Sequence, residues 1–301
     1  MEYTNRYKLP QYLVDWLKND DYDYNTDPFT ISTTTLMKPV KAYWLTLRYG
    51  DDLVMDVTDL VASRLGSAIH DSIEQVATRN VSKEERVSKE IEIDGTKFTI
   101  SGKYDVLTKE NEKWIIRDIK TTSVWSFIYG GKDEDYRKQL SVYRWLLTQQ
   151  HEIEPVAYID FIFNDWQAVK AKTDDNYPDQ RIKAGYKIDL WSLEETEKYV
   201  RSRVEHFFKF KDVADEALPI CSKEELWASE DTFAVTKPDA KRATKICSSQ
   251  EDAKKYIEDN KLKTAFIEFR QGKAKRCKYC SAAPFCQQFK NLSQTGLVDT
   301  F

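Results

Sequence analysis

The chain has 301 residues, of which 41% are hydrophobic and 13% aromatic, and its formal net charge is −4. This composition excludes a largely disordered chain and argues mildly against a protein that coats DNA through overall positive charge, although a basic groove can still be local. No stretch approaches the ~20 apolar residues that span a bilayer, and the N-terminus has no apolar signal-peptide core, so we expect a cytoplasmic protein that does not enter a membrane.

The N-terminal part of the chain is predicted to be mainly helical. A short helix is expected at 11–18. A second helix should begin at the hydroxyl-rich run after Ile31 and continue through Leu45, because Ser and Thr before an apolar run favour a helix start. Apolar residues then recur at helical spacing over 58–77, which predicts an amphipathic helix that carries His70. A lone histidine is usually a packed or surface residue, so this position alone assigns it no role.

Three β-strands are predicted next. Two of them lie within 81–108 and are joined by a turn at Asp94 and Gly95, since Asp-Gly between β-like runs is a hairpin signal. The third strand lies at 113–120, and its run of Ile residues indicates a central, buried position. The hydroxyl residues at 121–123 are expected to cap the following segment rather than to bind phosphate.

Charged residues are concentrated where these strands end. Asp118 and Lys120 are two positions apart, so in a strand they share one face while Ile119 points to the other. Asp105 ends the neighbouring strand and is expected to meet Asp118 across the ladder. Two adjacent carboxylates repel each other unless a cation neutralises them, and hard divalent cations such as Mg²⁺ and Mn²⁺ prefer oxygen ligands. The alternative interpretation is an ordinary hairpin with solvated charges.

A helix and a fourth strand complete this part of the chain. The helix is predicted at 133–149 and places Gln139 and Tyr143 on one face, at i and i+4. Tyr143 is otherwise explained by core packing with its hydroxyl satisfied. The strand is predicted at 155–163, where apolar residues alternate. The resulting order is helix, three strands, helix, strand.

Four short motifs occur in this order: His70 on its helix, Gly102-x-x-Asp105, Asp118-x-Lys120 and Gln139-x-x-x-Tyr143. Each is weak alone, but together they resemble the RecB-like branch of the PD-(D/E)XK nucleases, which includes AddB-type, CRISPR-associated adaptation and phage exonucleases. The resemblance covers about residues 30–165. It implies a mixed α/β fold with a restriction-endonuclease-like core, a helical N-terminal segment and a cysteine-rich C-terminal lobe.

The resemblance also implies roles for individual residues. Metal binding, to Mg²⁺ or Mn²⁺, would fall to His70, Asp105, Asp118 and the carbonyl of Ile119. Catalysis would use Asp105, Asp118 and Lys120, with Lys120 positioning the attacking water. DNA would be positioned by Gln139 and Tyr143.

Beyond the nuclease-like core, residues 165–183 are polar and predicted to form a loop, followed by a strand at 185–190. Ser192 and Glu195 form a capping box, which predicts a long helix that runs to about residue 211. The character of the chain then changes, because all five cysteines lie after residue 220.

Cys277, Cys280 and Cys286 read C-x2-C-x5-C, a spacing that supplies three thiolates to one metal. The fourth ligand is Cys221, Cys247 or a residue other than cysteine, and we favour Cys221 because its loop is freer to approach than a strand residue. The spacing resembles the C-terminal part of the iron–sulfur staple of AddB-like and CRISPR-associated nucleases, which implies a four-iron four-sulfur cluster, with Zn²⁺ as the alternative. This chain departs from that pattern because residues 1–220 contain no cysteine. Unliganded structural cysteines and a redox role are the other interpretations.

We therefore expect a nuclease domain with an N-terminal helical extension at 1–212 and a cysteine-cluster lobe at 213–301. The expected function is metal-dependent hydrolysis of DNA phosphodiester bonds, as an exonuclease in recombination, repair or phage replication, in a host cytoplasm and with a recombination or replication protein as partner. The rival hypotheses are a non-catalytic DNA-binding module and a redox- or metal-sensing regulator. The sequence leaves open the polarity of cleavage, the strand preference and the oligomeric state.

Overall fold

The structure is a computed structural model that describes residues 1–20, 27, 29–75, 81–110 and 112–298, with only the backbone at 74 and 81–84. The helices are α1 (Gln11–Lys18), α2 (Thr33–Leu36), α3 (Val40–Arg48), α4 (Val61–Gln75), α5 (Val124–Ile128), α6 (Asp133–Leu147), α7 (Ala168–Ala171), α8 (Leu193–Lys209), α9 (Gln250–Asp259) and α10 (Gln287–Gln294). The strands are β1 (Glu2–Thr4), β2 (Thr30–Ser32), β3 (Val54–Asp56), β4 (Val81–Ile93), β5 (Thr96–Glu110), β6 (Lys113–Thr122), β7 (Ile153–Phe163), β8 (Ile182–Asp189), β9 (Thr232–Thr236), β10 (Lys245–Cys247) and β11 (Phe266–Arg270). The predicted mixed α/β class is confirmed. Within the described ranges, no helix is both long and apolar enough to cross a membrane.

Contacts divide the chain into two units. The sheet unit consists of Tyr3–Lys38 and Val54–Lys211, and the cysteine-rich unit consists of Met1–Glu2, Pro39–Leu53 and Asp212–Phe301. The helix α3 therefore belongs to the cysteine-rich unit, although it lies far from that unit's other residues in the sequence. The expected division into domains at 1–212 and 213–301 stays a prediction about independently folding parts.

The sheet unit is built on a mixed sheet, in which the described strands run in the order β2-β5-β6-β7-β8 and β4 pairs with β5. The β4–β5 hairpin turns at Asp94 and Gly95, which both have positive φ, as the sequence predicted. The strands β6 and β7 are parallel, and α5 and α6 connect them. The order α4-β4-β5-β6-α6-β7 matches the predicted one, with α5 as an additional turn of helix.

One apolar core fills this unit. The inward residues of β7 alternate as predicted, and the core also takes side chains from α6 and α8. The fully or almost fully buried members include Leu140, Trp145, Leu146, Ala157, Ile159, Phe161, Phe163, Val200 and Val204. The predicted capping box at the start of α8 is present, since Ser192 Oγ accepts from the N–H of Glu195, whose carboxylate accepts from the N–H of Ser192.

Three predicted elements differ from the structure in type or in continuity. The helix expected to run from Ile31 through Leu45 is two helices, α2 and α3, because Pro39 has no N–H to donate and disfavours helical geometry at Lys38. The predicted loop at 165–183 contains the short helix α7 and the first residues of β8. The helix predicted at 58–77 begins as a 3₁₀ turn and becomes α4 at Val61; its predicted end lies outside the described residues.

The cysteine-rich unit has a smaller core. Its sheet has the order β10-β9-β11, all antiparallel, and α9 packs against it around Val235 and Ala253. The helix α3 joins this unit through polar and aromatic contacts. Arg48 Nη1 forms an ion pair with Asp215 Oδ1, and Tyr49 stacks on Phe285 with ring centroids 4.3 Å apart.

Asp56 ties the N-terminus of the sheet unit to the start of α4. Its carboxylate accepts from the Oγ1 and N–H of Thr58, at 2.6 and 3.2 Å, and from Thr4 Oγ1 and the N–H of Arg6, both at 2.8 Å. The hydrogen bonds from Thr58 and Arg6 hold the pKa of Asp56 well below its usual range.

We expect Asp56→Asn to lower the urea midpoint of unfolding at pH 7. A lowered folded-state pKa stabilises the protein above the unfolded pKa of about 3.9 and ceases to do so as the pH falls towards the folded value. The difference in midpoint between variant and wild type should therefore shrink below about pH 4. Asp52→Asn, at an exposed aspartate, is the control, and equal midpoints at pH 7 for wild type and Asp56→Asn would contradict the assignment.

Candidate active site

The strand β6 brings Asp118 and Lys120 to one face of the sheet. Its parallel register with β7 sets Asp118 beside Ile159 and Lys120 beside Phe161, so these four side chains share that face. Asp118 is only 2% exposed. Lys120 Nζ lies 2.7 Å from Asp118 Oδ2, and a buried ion pair of this kind costs desolvation energy that attraction must offset. The sequence pattern correctly predicted that Asp118 and Lys120 share one face of the strand.

Asp105 reaches the same site from β5 in an unexpected way. The described register between β5 and β6 ends at Val106 opposite Arg117, one position short of the expected Asp105–Asp118 pair. Instead, the N–H of Ile119 donates to Asp105 Oδ2 at 2.7 Å. The carboxylate of Asp105 thus accepts a hydrogen bond from the backbone of β6 just beyond the last described strand pair. This bond fixes the position of one of its oxygens.

The site holds more negative than positive charge. Burial raises the pKa of Asp118, the nearby charge of Asp105 raises it further, and Lys120 opposes both. Burial acts to lower the pKa of Lys120, but Asp118 and Asp105 outweigh it and raise that pKa above its ordinary value. Both groups therefore bind protons more tightly than usual, Asp118 mainly because it is buried and Lys120 because two carboxylates lie nearby.

His70 stands beside this group. Its Nδ1 lies 3.6 Å from Asp105 Oδ1, which is long for a hydrogen bond but close for an ion pair. Interaction with Asp105, and more weakly with Asp118, raises the pKa of His70. The helix α4 therefore delivers the predicted histidine to the two predicted aspartates.

The helix α6 covers the site through a chain of hydrogen bonds. Lys120 Nζ donates to Gln139 Oε1 at 3.4 Å, and Gln139 Nε2 donates to the hydroxyl of Tyr143 at 3.3 Å. Tyr143 is only 5% exposed, so in this structure the pair supports the strand that carries Asp118 and Lys120, and the predicted contact with DNA stays a prediction. Tyr136, which sequence reasoning missed, lies close enough for Lys120 and Asp118 to affect its pKa, which burial raises. The only signal for it was its position one turn before Gln139.

Gly102 makes the close approach of α6 possible. A Cβ at this position would lie 2.6 Å from Tyr143 Cε1 and 2.6 Å from Thr33 Oγ1. The glycine of the Gly-x-x-Asp motif is therefore required by packing, because any side chain would displace Tyr143 or Thr33.

The donor chemistry around Asp118 suits a hard divalent cation. Asp118 Oδ2 is buried without a hydrogen bond of acceptable angle, although Lys120 Nζ is near, and the carboxylate of Asp105 supplies further oxygen ligands. However, among the residues whose positions the structure describes, no three or more His, Cys, Asp or Glu side chains converge as a metal-ligand group. The predicted ligands His70, Asp105 and Asp118 are neighbours whose oxygens and nitrogen currently face Lys120, the Ile119 N–H and one another.

The four predicted cluster cysteines also come together. Cys221, Cys277, Cys280 and Cys286 line one cavity in the cysteine-rich unit, together with residues of α3. Burial, with smaller contributions from the charges of Glu225 and the other three thiols, raises the pKa of Cys221 to about 12. Cys247, the alternative fourth ligand, is buried elsewhere, against Val235 and Ala253. In the described part of the chain, the thiols of the four cavity cysteines likewise do not converge as a metal-ligand group.

A family model described as the PD-(D/E)XK nuclease superfamily matches residues 78–287. The chain belongs to the PD-(D/E)XK nuclease superfamily. The match contains Asp105, Asp118 and Lys120, and it ends just after Cys286. Members of this superfamily typically use Mg²⁺ or Mn²⁺.

No curated protein matches the chain. One solved structure, titled "Crystal structure of SSO0001", is 19% identical and has a TM-score of 0.46, and the match covers 64% of this chain and 84% of that one. At this level of similarity it adds nothing to the description of the PD-(D/E)XK site.

We expect Gly102→Ala to destabilise the sheet unit by about 1–3 kcal/mol, the usual cost of forcing atoms into a packed core. The measurement is urea unfolding, followed by tryptophan fluorescence. Gly66→Ala is the matched control, because a Cβ there meets nothing within 4 Å and alanine favours the interior of α4. A stable Gly102→Ala with wild-type fluorescence would show that α6 does not depend on this close approach.

Proposed function

We propose that this protein is a metal-dependent deoxyribonuclease that hydrolyses phosphodiester bonds. The observation that carries the proposal is the group in which the buried carboxylate of Asp118 and the partly buried carboxylate of Asp105 lie near the ammonium of Lys120. A site with surplus negative charge is prepared for a further cation, and it suits phosphate chemistry only when that cation is bound.

In this proposal the cation is Mg²⁺ or Mn²⁺, held by Asp105, Asp118, His70 and the carbonyl of Ile119. When bound, it supplies Lewis-acid polarisation of the phosphate and lowers the pKa of a coordinated water. His70 must be neutral to act as a ligand, so its raised pKa means that metal and proton compete for Nδ1.

The remaining groups act on the substrate directly. We assign to Lys120 the positioning of the attacking water and the stabilisation of the negative charge that develops on the phosphate. Gln139 holds Lys120 in place and is itself held by Tyr143, so these two residues orient the catalytic lysine. Contact of Gln139 or Tyr143 with DNA would require these hydrogen bonds to break first.

We further propose a RecB-like exonuclease that acts in recombination, repair or phage replication within the cytoplasm. The motif order His70, Asp105, Asp118 and Lys120 supports the RecB-like assignment. The non-catalytic DNA-binding module and the cluster-based regulator remain as outcomes of the test below.

We expect Lys120→Ala to reduce DNA cleavage about 10²- to 10³-fold, as loss of a preorganised charge at a reacting phosphate does. The assay uses 5′- and 3′-labelled linear and circular strands, single and double, with Mg²⁺ or Mn²⁺ and with EDTA. Lys113→Ala is the matched control, since Lys113 lies at the other end of the same strand and pairs with Glu152 and Glu154.

Cleavage that is lost in EDTA and in Lys120→Ala supports the proposal, and the released label gives the polarity. Folded wild type that binds DNA but never cleaves it would instead indicate the non-catalytic module. DNA binding that changes with thiol oxidation, without cleavage, would indicate the regulator.

We also propose that Cys221, Cys277, Cys280 and Cys286 bind a metal centre, a four-iron four-sulfur cluster or, alternatively, Zn²⁺. Support comes from the shared cavity and from the soft thiol donors that both centres prefer. Arg276 lines the same cavity and would offset part of the thiolate charge. The centre would be structural, since it would join the loop at Cys221 to the C-terminal motif.

We expect Cys280→Ser to lose the metal and Cys247→Ser to retain it, because Cys247 packs in a different core. The measurement is iron, sulfide and zinc content together with visible absorbance of protein purified without oxygen. Metal-free wild type, or equal metal content in both variants, would refute this assignment.

A further inference from the structure

Two exposed aromatic rings follow the catalytic strand. Trp125 lies on α5 and Tyr129 directly follows that helix, and their rings are stacked with centroids 5.9 Å apart and planes 6° from parallel. Trp125 is 39% exposed and Tyr129 is 77% exposed. Such large exposed rings contribute little to the core, so their ordered stacking calls for another explanation.

This stack is held firmly in place. Asp165 accepts from the hydroxyl of Ser123 at 2.6 Å and from the N–H of Val124 at 2.7 Å, which anchors the start of α5. Trp125 also meets the ring of the buried Tyr177 edge to face, at 5.8 Å. The two stacked rings are therefore preorganised, which lowers the entropic cost of binding a ligand.

The stack lies on the face of the sheet that carries the candidate active site. Phe127, between the two rings in sequence, packs on Phe161 and Phe163 at 5.0 and 5.5 Å. Phe161 is the β7 partner of Lys120, so α5 covers the end of the face on which Lys120 lies. Trp125 is five residues after Lys120, which limits their Cα separation to about 18 Å.

Positive charge accompanies the rings. Lys170 Nζ lies 4.6 Å from the centroid of the Trp125 ring, and Lys183 Nζ lies 5.8 Å from that of Phe127. An ammonium beside exposed aromatic rings is the combination that binds single-stranded nucleic acid, with bases stacked on rings and phosphates near cations. A protein partner would be expected to use an apolar patch without these lysines.

We propose that Trp125 and Tyr129 form a stacking platform for an unpaired base of the DNA, next to the hydrolytic site. This inference rests on the proposed nuclease function. Tyr129, the more exposed ring, takes the base, and Lys170 lies close to the adjoining phosphate. The substrate would thus be a single strand or a frayed end, because both faces of a base within a duplex are already stacked on neighbouring base pairs.

The test is fluorescence anisotropy with a labelled single-stranded oligonucleotide. All proteins carry Lys120→Ala, so that the DNA is not consumed. Stacking is worth about 1–3 kcal/mol per base, so Tyr129→Ala should weaken binding about 5- to 150-fold. Tyr129→Phe should retain affinity, because it keeps the ring. Tyr12→Ala is the control, since Tyr12 is 71% exposed on α1, away from α5 in sequence.

A second arm identifies the stacking itself. With an oligonucleotide that lacks bases, Tyr129→Ala and its parent should bind equally, because both retain the lysines. Equal binding of the normal oligonucleotide by Tyr129→Ala and its parent would overturn the platform, as would absence of binding to single strands. The cleavage assay described above, done on the wild type, separates the platform from the nuclease proposal. Loss of binding in Tyr129→Ala together with no cleavage by the wild type removes only the nuclease, whereas cleavage by the wild type together with normal binding in Tyr129→Ala removes only the platform.

Discussion

The site depends on a shortage of positive charge, because the buried carboxylate of Asp118 and the partly buried carboxylate of Asp105 both lie near the ammonium of Lys120. In water such a cluster would be unremarkable, but at low dielectric each unbalanced charge is expensive. Protons, a divalent cation or the hydrogen bond from the Ile119 N–H can relieve the imbalance. A nuclease can use this arrangement, because the site favours binding of the cation that its chemistry requires.

The fold serves this charge cluster in three ways. The mixed sheet delivers Asp105 from β5 and the other two groups from β6, while its buried faces exclude water. The helix α6 approaches closely enough to hold Lys120 through Gln139, and Gly102 is what allows that approach. In the proposed function, the exposed rings of Trp125 on α5 and of Tyr129 directly after it would support a strand of DNA that leaves the site. The same few backbone positions therefore serve both the packing of the fold and the chemistry of the candidate site.

The cysteine-rich unit is assembled from segments that are far apart in the sequence. It takes α3 from the N-terminal part and combines it with residues 212–301, so that it is discontinuous in sequence. Within it, Cys221 lies with the three cysteines of the C-terminal motif, and α3 lines the same cavity. Burial, and to a smaller degree nearby negative charges, raise the pKa of Cys221 and of Cys277, and a bound metal would reverse this by favouring the thiolate.

Periodicity and motif spacing determined much of this protein in advance. They predicted the hairpin at Asp94 and Gly95, the shared face of Asp118 and Lys120 and the order of helices and strands, because these depend on neighbours in sequence. Only the tertiary structure decided that Asp105 binds the backbone of β6, that Gly102 admits Tyr143 and that α3 joins the cysteines. Each of these depends on where the strand register ends or on which surfaces fit together, and such long-range contacts leave no period in the sequence.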